Sequence, residues 1–416
     1  MKFRIERDRL ADAVAWTART LPVRPPAPVL AGLLLAASDG TLTLSSFDYE
    51  VSGRVDVAAD VEEPGRALVS GRLLAEIARA LPDRPVHLVS EGHKVVLTCG
   101  TARFTLLTLP VDEYPALPDL PAASGWVAGD VFAQAVSQVA IAAGRDDTLP
   151  VLTGVRVEIE GATVTLAATD RYRLAVREFT WNPEQSGLSA VALVPARTLH
   201  DTARTLTGGD KITLALATSG PGEGIIGFEG GGRRTTSRLL EGEFPKYRAL
   251  LPTETPTVAL VDTAPFVEAV KRVSLVAERN TPVRLSFTAG QVVLEAGTGD
   301  EAQASEAMDA RLVGADIGIA FNPTFLLDGL AAINAPVARL AFTAPGRPAV
   351  ITGAPADAAS ADAPADGGAA VDGGAAVDGA GAGGAGAGEA HGVDGAGAGG
   401  AAAGYRYLLM PVRLTG

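Results

Sequence analysis

Short runs of alternating hydrophobic and polar residues occur in pairs along the chain, and a turn divides each pair. The clearest pair is VRVEIEGATVTLAAT, from Val155 to Thr169, where the alternation continues on both sides of Gly161. A period of two around a glycine turn predicts an antiparallel β-hairpin. Similar pairs begin at Val29, as VLAGLLLAASDGTLTLSSF, and more weakly at Pro282, as PVRLSFTAGQVVLEA. The pattern therefore predicts three copies of one hairpin unit.

Helical periodicity precedes each of these hairpins. In the first copy Leu10, Val14, Thr17 and Leu21 form one stripe at helical spacing, which predicts an amphipathic helix. The corresponding stretches of the other copies read GDVFAQAVSQVAIAAGRD and APFVEAVKRVSLVAER. Each repeat is therefore expected to open with a helix.

A short strand that runs into a second helix also recurs, as ALVSGRLLAEIARALP, ALVPARTLHDTARTLTG and IAFNPTFLLDGLAAINA. In the first of these, Arg72, Glu76 and Arg79 share a face opposite Leu73, Ile77 and Leu81. Such segregation predicts one buried apolar face and one exposed face that carries two arginines.

The markers recur in the same order with a period of about 125 residues, which is a domain length. The sequence thus predicts an α+β chain of three repeated domains with antiparallel sheets. The expected boundaries are 1–122, 123–250 and 251–416.

The third repeat is interrupted before its last strand. RPAVITG, from Arg347, begins a hairpin, and the run YRYLLMPVRL near the C-terminus is the strand that would close it. Between them, residues 355–403 are almost entirely Ala, Gly and Asp and lack large apolar side chains, so this insertion is expected to be a flexible loop. Lengthening a loop from about five to about fifty residues costs only about 2 kcal/mol in closure entropy.

Composition and charge narrow the function classes. The net charge is −13, but seven carboxylates lie in the insertion, which leaves about −6 on the rest of the 416-residue chain. One cysteine and four scattered histidines exclude an internal disulfide and offer no metal-ligand spacing. There is no nucleophile elbow, no P-loop, no signal peptide and no long apolar segment. We expect a cytoplasmic protein without a cofactor, a bound metal or catalytic residues.

Several motifs carry a resemblance to a known family. VLTG followed by ATDRYRLAV, the linker FPKYRALLP and the terminal LLMPVRL resemble the bacterial DNA polymerase sliding clamp, the beta subunit of the replicative polymerase. DDTLP and SGRLL resemble its actinobacterial form. The resemblance implies a head-to-tail homodimeric ring that encircles duplex DNA as a processivity factor. In each clamp domain two helices would face inward and antiparallel sheets would lie outside.

The resemblance implies that the basic helix faces contact DNA without sequence preference. Phosphate contacts alone suit a ring that must slide. The expected DNA-facing residues are Arg24, Arg72, Arg79, Arg145, Arg197, Arg204, Lys271, Arg272 and Arg279.

The resemblance also implies a pocket that binds short peptides of the replicative polymerase, the clamp loader and repair proteins. The matching positions are Leu152, Thr169, Arg171, Tyr172, Arg173, Leu174, Pro245, Leu250, Met410, Pro411, Val412, Arg413 and Leu414. Some family members carry Gly-His in place of Arg171-Tyr172, and some carry a longer charged residue in place of Ala249. The peptide preference is therefore left open.

Three other functions remain as alternatives. A duplicated, specialised clamp that tolerates a pocket-directed inhibitor would have the same motifs. An enzyme of unknown class is a remote alternative, because no catalytic motif is present. An extracellular β-repeat protein is disfavoured by the charged N-terminus.

Overall fold

The computed structural model describes residues 1–206, 211–217, 224–277, 281–297, 302–359 and 404–413. These residues form two compact units. The first contains Met1–Leu251 together with Tyr405–Leu408, and the second contains the rest. No helix in the described ranges is long and apolar enough to cross a membrane.

The first repeat consists of a helix pair packed on antiparallel sheet. Its strands are β1 (Lys2–Ile5), β2 (Gly32–Ser38), β3 (Thr41–Phe47), β4 (Val51–Ala58), β5 (Asp60–Glu63), β6 (Gly65–Ser70), β7 (Val86–Glu91), β8 (Lys94–Cys99) and β9 (Ala102–Leu109). Its helices are α1 (Arg7–Thr17) and α2 (Gly71–Ala80), with 3-10 turns at Ala18–Thr20, Pro28–Ala31 and Val111–Glu113. The helices pack against each other, and α1 also packs on β3 and β4.

The second repeat has the same plan. Its strands are β10 (Ala123–Ala128), β11 (Gly154–Glu160), β12 (Thr163–Thr169), β13 (Arg173–Thr180), β14 (Asn182–Pro183), β15 (Ser189–Pro195), β16 (Lys211–Leu216), β17 (Ile225–Gly230) and β18 (Arg233–Arg238). Its helices are α3 (Gly129–Ala140) and α4 (Ala196–Thr205), with 3-10 turns at Pro150–Thr153 and Tyr247–Leu250. Again the two helices pack against each other.

The third repeat supplies the second unit, except that Tyr405–Leu408 of its last strand belong to the first unit. Its strands are β19 (Thr257–Asp262), β20 (Val283–Thr288), β21 (Gln291–Ala296), β22 (Ala304–Asp309), β23 (Arg311–Val313), β24 (Ile317–Phe321), β25 (Val337–Phe342), β26 (Ala349–Ala354) and β27 (Tyr405–Leu409). Its helices are α5 (Thr263–Val273) and α6 (Pro323–Ala332), with 3-10 turns at Ser274–Val276 and Ala356–Ala359. Helix α6 begins at an Asn322 cap whose side chain accepts from the Thr324 and Phe325 amides, with Pro323 in the first helical position.

The hairpin predicted around Gly161 is confirmed. Strands β11 and β12 pair antiparallel from Arg156↔Ala167 to Glu160↔Thr163. Gly161 has φ of 58°, a left-handed conformation that glycine adopts without a steric penalty. In these paired strands, successive side chains point to opposite faces of the sheet, as the alternating sequence predicts.

The apolar stripe of the first helical stretch is also confirmed, since Leu10, Val14, Thr17 and Leu21 are all buried. The face assigned to α2 was partly wrong. Leu73 is 45% exposed, whereas its neighbour Leu74 is buried with Ile77 and Leu81. A rotation of about 100° separates adjacent residues in a helix, and burial selects Leu74 because it points to the sheet side of α2.

The first two repeats are joined by a shared sheet. Strand β18 of the second repeat pairs antiparallel with β4 of the first, from Arg233↔Val55 to Ser237↔Val51. The hydroxyls of Ser52 and Thr236 lie 2.5 Å apart within this junction and are buried. The two repeats therefore share one continuous hydrogen-bonded sheet.

The C-terminal run forms a strand, as its sequence predicts. Strand β27 lies next to β13 of the second repeat. Tyr407 is completely buried, and the Tyr405 hydroxyl donates to the Gln138 carbonyl at 3.2 Å. Residues 360–403, the greater part of the insertion, lie outside the described residues.

Candidate functional site

The helices of the first unit present arginines on their exposed faces. Arg72 and Arg79 on α2, and Arg197 and Arg204 on α4, are all exposed. The opposite face of α4 is buried through Leu199 and Ala203, together with Leu206 just after the helix. Burial of one face leaves the basic face to solvent, as expected of a surface that contacts a polyanion.

A cavity of about 290 Å³ lies where the end of α1 meets α4. Its lining includes Trp16, Arg19, Arg197 and Asp201, so arginines of the first two repeats meet around one depression. Arg204 shares a neighbouring depression with Arg19 and with Arg233. Arg233 is a residue that reasoning from helix faces missed, because it lies on strand β18.

The other predicted DNA-facing residues have different surroundings. Arg24 and Arg145 are exposed in loops. On α5, Lys271 lies 2.8 Å from Glu268, and Arg272 makes a bidentate pair with Glu306 that includes a 3.0 Å contact. Neighbouring carboxylates thus offset these two cations, whereas Arg279 lies outside the described residues.

The turn between β12 and β13 carries two residues predicted to bind partners, Arg171 and Tyr172, and the adjoining strand ends carry three more, Thr169, Arg173 and Leu174. The Asp170 carboxylate accepts from the Tyr172 amide at 3.0 Å and from the Arg173 amide at 3.1 Å, closing an Asx turn. Arg171 has φ of 79°, so a non-glycine residue occupies a left-handed position. A glycine would adopt this conformation without a steric penalty.

Arg173 is buried and links this turn to the C-terminal strand. Its Nε lies 2.9 Å from Asp170, and its Nη1 is 3.5 Å from the Tyr407 hydroxyl. Thr169 and Leu174 are buried as well, whereas Arg171 and Tyr172 are exposed. The exposed pair can contact a ligand directly, and the buried residues support the turn beneath it.

The linker after β18 lies against the turn that contains Leu152. Gly242 has φ of 126°, and a Cβ at this position would lie 2.5 Å from a Val151 methyl group. A residue with a side chain would therefore be strained there. Farther along the same linker, Pro245 is exposed and Leu250 is 50% exposed.

The same linker is held by a buried carboxylate that sequence reasoning did not single out. Glu158 on β11 accepts from the Tyr247 hydroxyl at 2.9 Å and lies 2.6 Å from Arg248 Nη1. Burial alone would raise the pKa of Glu158, but hydrogen bonds from Arg156 and Tyr247 and the charge of Arg248 hold that pKa below 4.5. Nothing in the sequence signals this role, because the alternation in VRVEIE places Glu158 on the polar face of the strand with Arg156 and Glu160.

The remaining predicted pocket residues follow β27 in the second unit. Met410 is 42% exposed, and Val412 and Arg413 are exposed. The Val412 amide donates to the Ala320 carbonyl at 2.8 Å, which ties this segment to β24. Pro411 is partly buried, and Leu414 lies outside the described residues. Exposed apolar side chains beside an arginine can bind a short peptide with apolar anchors.

Comparisons with known proteins agree on the family. Models of the N-terminal, central and C-terminal domains of the DNA polymerase III beta subunit match residues 1–118, 126–246 and 248–364. The chain is 62% identical to the beta sliding clamp of Streptomyces coelicolor over the full length of both proteins. It is 50% identical to the beta sliding clamp homolog GriR of Streptomyces muensis, over 88% of this chain and 96% of that protein.

A sliding clamp of Pseudomonas aeruginosa, solved bound to griselimycin, has a TM-score of 0.83 at 24% identity, with complete coverage of both chains. The fold, the order of the three repeats and these matches lead to one conclusion: the chain belongs to the bacterial beta sliding clamp family, the beta subunit of DNA polymerase III, which acts in DNA replication.

Proposed function

We propose that this chain pairs head to tail with a second copy and closes a ring around duplex DNA. The observation that carries this proposal is one type of junction between strands of neighbouring repeats. The chain forms this junction at two places and does not form it at the third. Strand β4 of the first repeat pairs with β18, and its counterpart β13 in the second repeat lies next to β27. Strands β18 and β27 each end their repeat, as β9 ends the first.

The third junction would join β22 to β9. Among the described residues β22 pairs only with β21, and β9 has a second neighbour only at Thr108 and Leu109. Both strands thus keep an edge whose main-chain groups can pair with another chain. A second copy, turned head to tail, supplies each missing partner, and six domains then close without a free junction.

Exposed leucines accompany these two edges. Leu107 on β9 is 72% exposed, and Leu275, just after α5, is 84% exposed. Burying one such side chain contributes about 1.5–3 kcal/mol. Both would be covered by the proposed pairing of two copies.

Inside the ring, the exposed arginines of the first unit would contact phosphates. Arg72, Arg79, Arg197 and Arg204 are the principal candidates, with Arg24 and Arg145 as further ones. In the third repeat Lys271, Arg272 and Arg279 complete the proposed set. Contact through phosphates gives affinity without base readout, so the ring can move along DNA.

Partners would bind through the Tyr172, Leu250 and Met410 surfaces, supported by Leu152, Thr169, Arg173 and Leu174. We assign the replicative polymerase, the clamp loader and repair proteins to this site as a class, each through a short peptide with apolar anchors. Arg173 and Arg413 are the arginines expected from the sequence to hold peptide carbonyl or acidic groups. Because Arg173 is buried against Asp170, we propose the exposed Arg171 for this role in its place, together with Arg413. The cytoplasm is the proposed site of action.

The test combines solution mass with topology. The wild-type protein is expected to have twice the chain mass and, once loaded, to stay on nicked circular DNA but to leave linear DNA. Leu107→Asp and Leu275→Asp should each give a monomer that is not retained. Val191→Asp, which changes an exposed strand residue elsewhere, is the matched control and should remain dimeric. A monomeric wild type, or equal retention on both DNAs, would refute the ring.

A specialised duplicate clamp remains the second candidate. The identity with the Streptomyces coelicolor clamp is higher and spans more of the chain than the identity with GriR. That difference supports the replicative clamp. Deletion of the gene separates the two, because only the replicative clamp should be essential.

A further inference from the structure

The chain contains two linkers between repeats with related sequences, PVDEYPALP and EFPKYRALLP. In each, a tyrosine stands three residues before a leucine: Tyr114 and Leu117 in the first linker, Tyr247 and Leu250 in the second. The same fold therefore holds one type of segment at two places, and the contacts of the two can be compared.

The first linker is held by apolar packing. Tyr114 lies in a buried cluster with Leu30, Leu34 and Phe47, and Leu117 packs against the same cluster. Burial raises the pKa of the Tyr114 hydroxyl to about 12. Leu117 of this linker thus packs against residues of its own chain.

The second linker is held by a carboxylate. Glu158 is only 4% exposed, and both of its oxygens are occupied. Oε1 accepts from Arg156 Nε at 2.5 Å, while Oε2 accepts from the Tyr247 hydroxyl and faces Arg248 Nη1. Charge-assisted hydrogen bonds of this kind are short, directional and rigid.

The positions that hold the two linkers correspond one to one. Gly32 and Gly154 each begin a strand after a 3-10 turn, so Leu34 and Ala36 stand where Arg156 and Glu158 stand. In the linkers themselves, Pro115 stands where Arg248 stands. Three polar residues thus replace three apolar ones at the second linker alone.

The space beneath the linkers differs accordingly. Under the first linker, Leu34, Ala36 and Leu117 line an open groove of about 540 Å³. At the second, the Glu158 side chain reaches the linker tyrosine. Joining two repeats does not require the carboxylate, since the first linker joins them without it.

The leucines of the two linkers have different exposures as a result. Leu117 is partly buried in its cluster, whereas Leu250 is 50% exposed at the end of the Tyr247–Leu250 turn. We infer that Glu158 is a positioning residue that fixes this turn and presents Leu250 and Pro245 to a partner peptide. The inference rests on the proposed partner site. A binding surface that is already ordered before the peptide arrives lowers the conformational entropy lost on binding.

The test measures linker order and peptide affinity together. A spin label is attached at Ala249→Cys, where the only other cysteine, Cys99, is buried. The changes are Glu158→Gln, which removes the charge, and Tyr247→Phe, which keeps the ring and removes the donor. The probe is a short peptide with Gln, Leu and Phe. Both changes should mobilise the label and weaken peptide binding about tenfold, the effect of one lost charge-assisted hydrogen bond.

Two controls separate positioning from general stability. Glu160→Gln makes the same change at an exposed glutamate of the same strand and should alter neither readout. Ile77→Val truncates a buried residue of the first repeat and should lower the unfolding temperature with unchanged affinity. Equal affinity of Glu158→Gln and Glu160→Gln, or an unchanged label spectrum, would overturn the role of Glu158. Failure of the wild type to bind the peptide would instead overturn the partner site itself.

Discussion

Arg233 Nη2 lies 2.6 Å from Asp12 Oδ2, which joins strand β18 of the second repeat to helix α1 of the first. The same guanidinium donates to the Thr205 carbonyl at 3.0 Å and lies over the Trp16 ring. One side chain therefore connects both helix layers of the first unit at the β4–β18 junction.

Replacing this guanidinium should weaken the junction. Arg233→Met is expected to lower the free energy of unfolding by about 1–2 kcal/mol, because it removes two hydrogen bonds from a mostly buried group. Asp12→Asn should cost less than about 1 kcal/mol, since the Asp12 side chain is largely exposed. Urea unfolding provides the measurement. Arg234→Met, which breaks a half-exposed pair with Glu229, is the control and should be nearly neutral. If Arg234→Met lowered the free energy of unfolding as much as Arg233→Met does, that result would contradict the special role of Arg233.

The basic helix faces should govern the salt dependence of DNA binding. Changing Arg72, Arg79, Arg197 and Arg204 to Glu should weaken DNA binding by the loaded clamp and lower the salt slope by about 3–4, at roughly 0.9 per phosphate contact. The solution mass should not change. Affinity for duplex DNA is measured over a series of salt concentrations. The matched control changes Arg54 and Arg66, which line the groove under the first linker. An unchanged slope in the helix variant would show that these helices do not face DNA.

Partner binding should depend on Met410. Met410→Ala is expected to weaken binding of the Gln-, Leu- and Phe-containing peptide by about 1–3 kcal/mol, because it removes apolar contact area at an exposed anchor. Removal of Met410–Gly416 should abolish binding. Titration of a labelled peptide measures both, and retention on nicked circular DNA should survive Met410→Ala. Equal affinity of all three proteins would show that this segment is not part of the site.

The insertion should contribute little to stability beyond its first residues. Replacing residues 360–402 by a short Gly-Ser linker should leave the free energy of unfolding the same or raise it by up to about 2 kcal/mol, the closure entropy of the long loop. Extending the deletion back to Ala356 should cost about 1 kcal/mol, because Arg311 Nη1 donates to the Ala358 carbonyl at 3.0 Å. Calorimetry of the two deletions compares them. A large loss from the shorter deletion would mean that the insertion packs against the protein.

Glu158 should make stability depend on pH at the acid end. Its pKa is held below 4.5, so the folded state binds the proton more weakly than the unfolded state. The stabilisation is therefore fully present above the unfolded pKa and is lost as the pH falls through the folded value. The stability difference between the wild type and Glu158→Gln should be largest at neutral pH and shrink below about pH 4.5. Urea midpoints at several pH values test this, and a difference that grew on acidification would contradict it.

The sequence by itself determined the repeat, the hairpins and the helices. Alternation around Gly161 and the stripe from Leu10 to Leu21 are local patterns, and the backbone period converts them directly into strand and helix. The family motifs added the expected site positions on the same local basis. The predicted domain boundaries of 1–122, 123–250 and 251–416 remain a proposal, supported by matches that break at similar places.

Only the tertiary structure decided which side chains meet. It exposed Leu73 and buried Leu74, because the phase of a helix depends on the sheet beneath it. It brought Tyr247 to Glu158, 89 residues earlier in the chain, and paired Arg272 with Glu306. It also set β18 beside β4 and β27 beside β13. Contacts between residues far apart in sequence depend on how elements pack, and no periodicity within a single element contains that information.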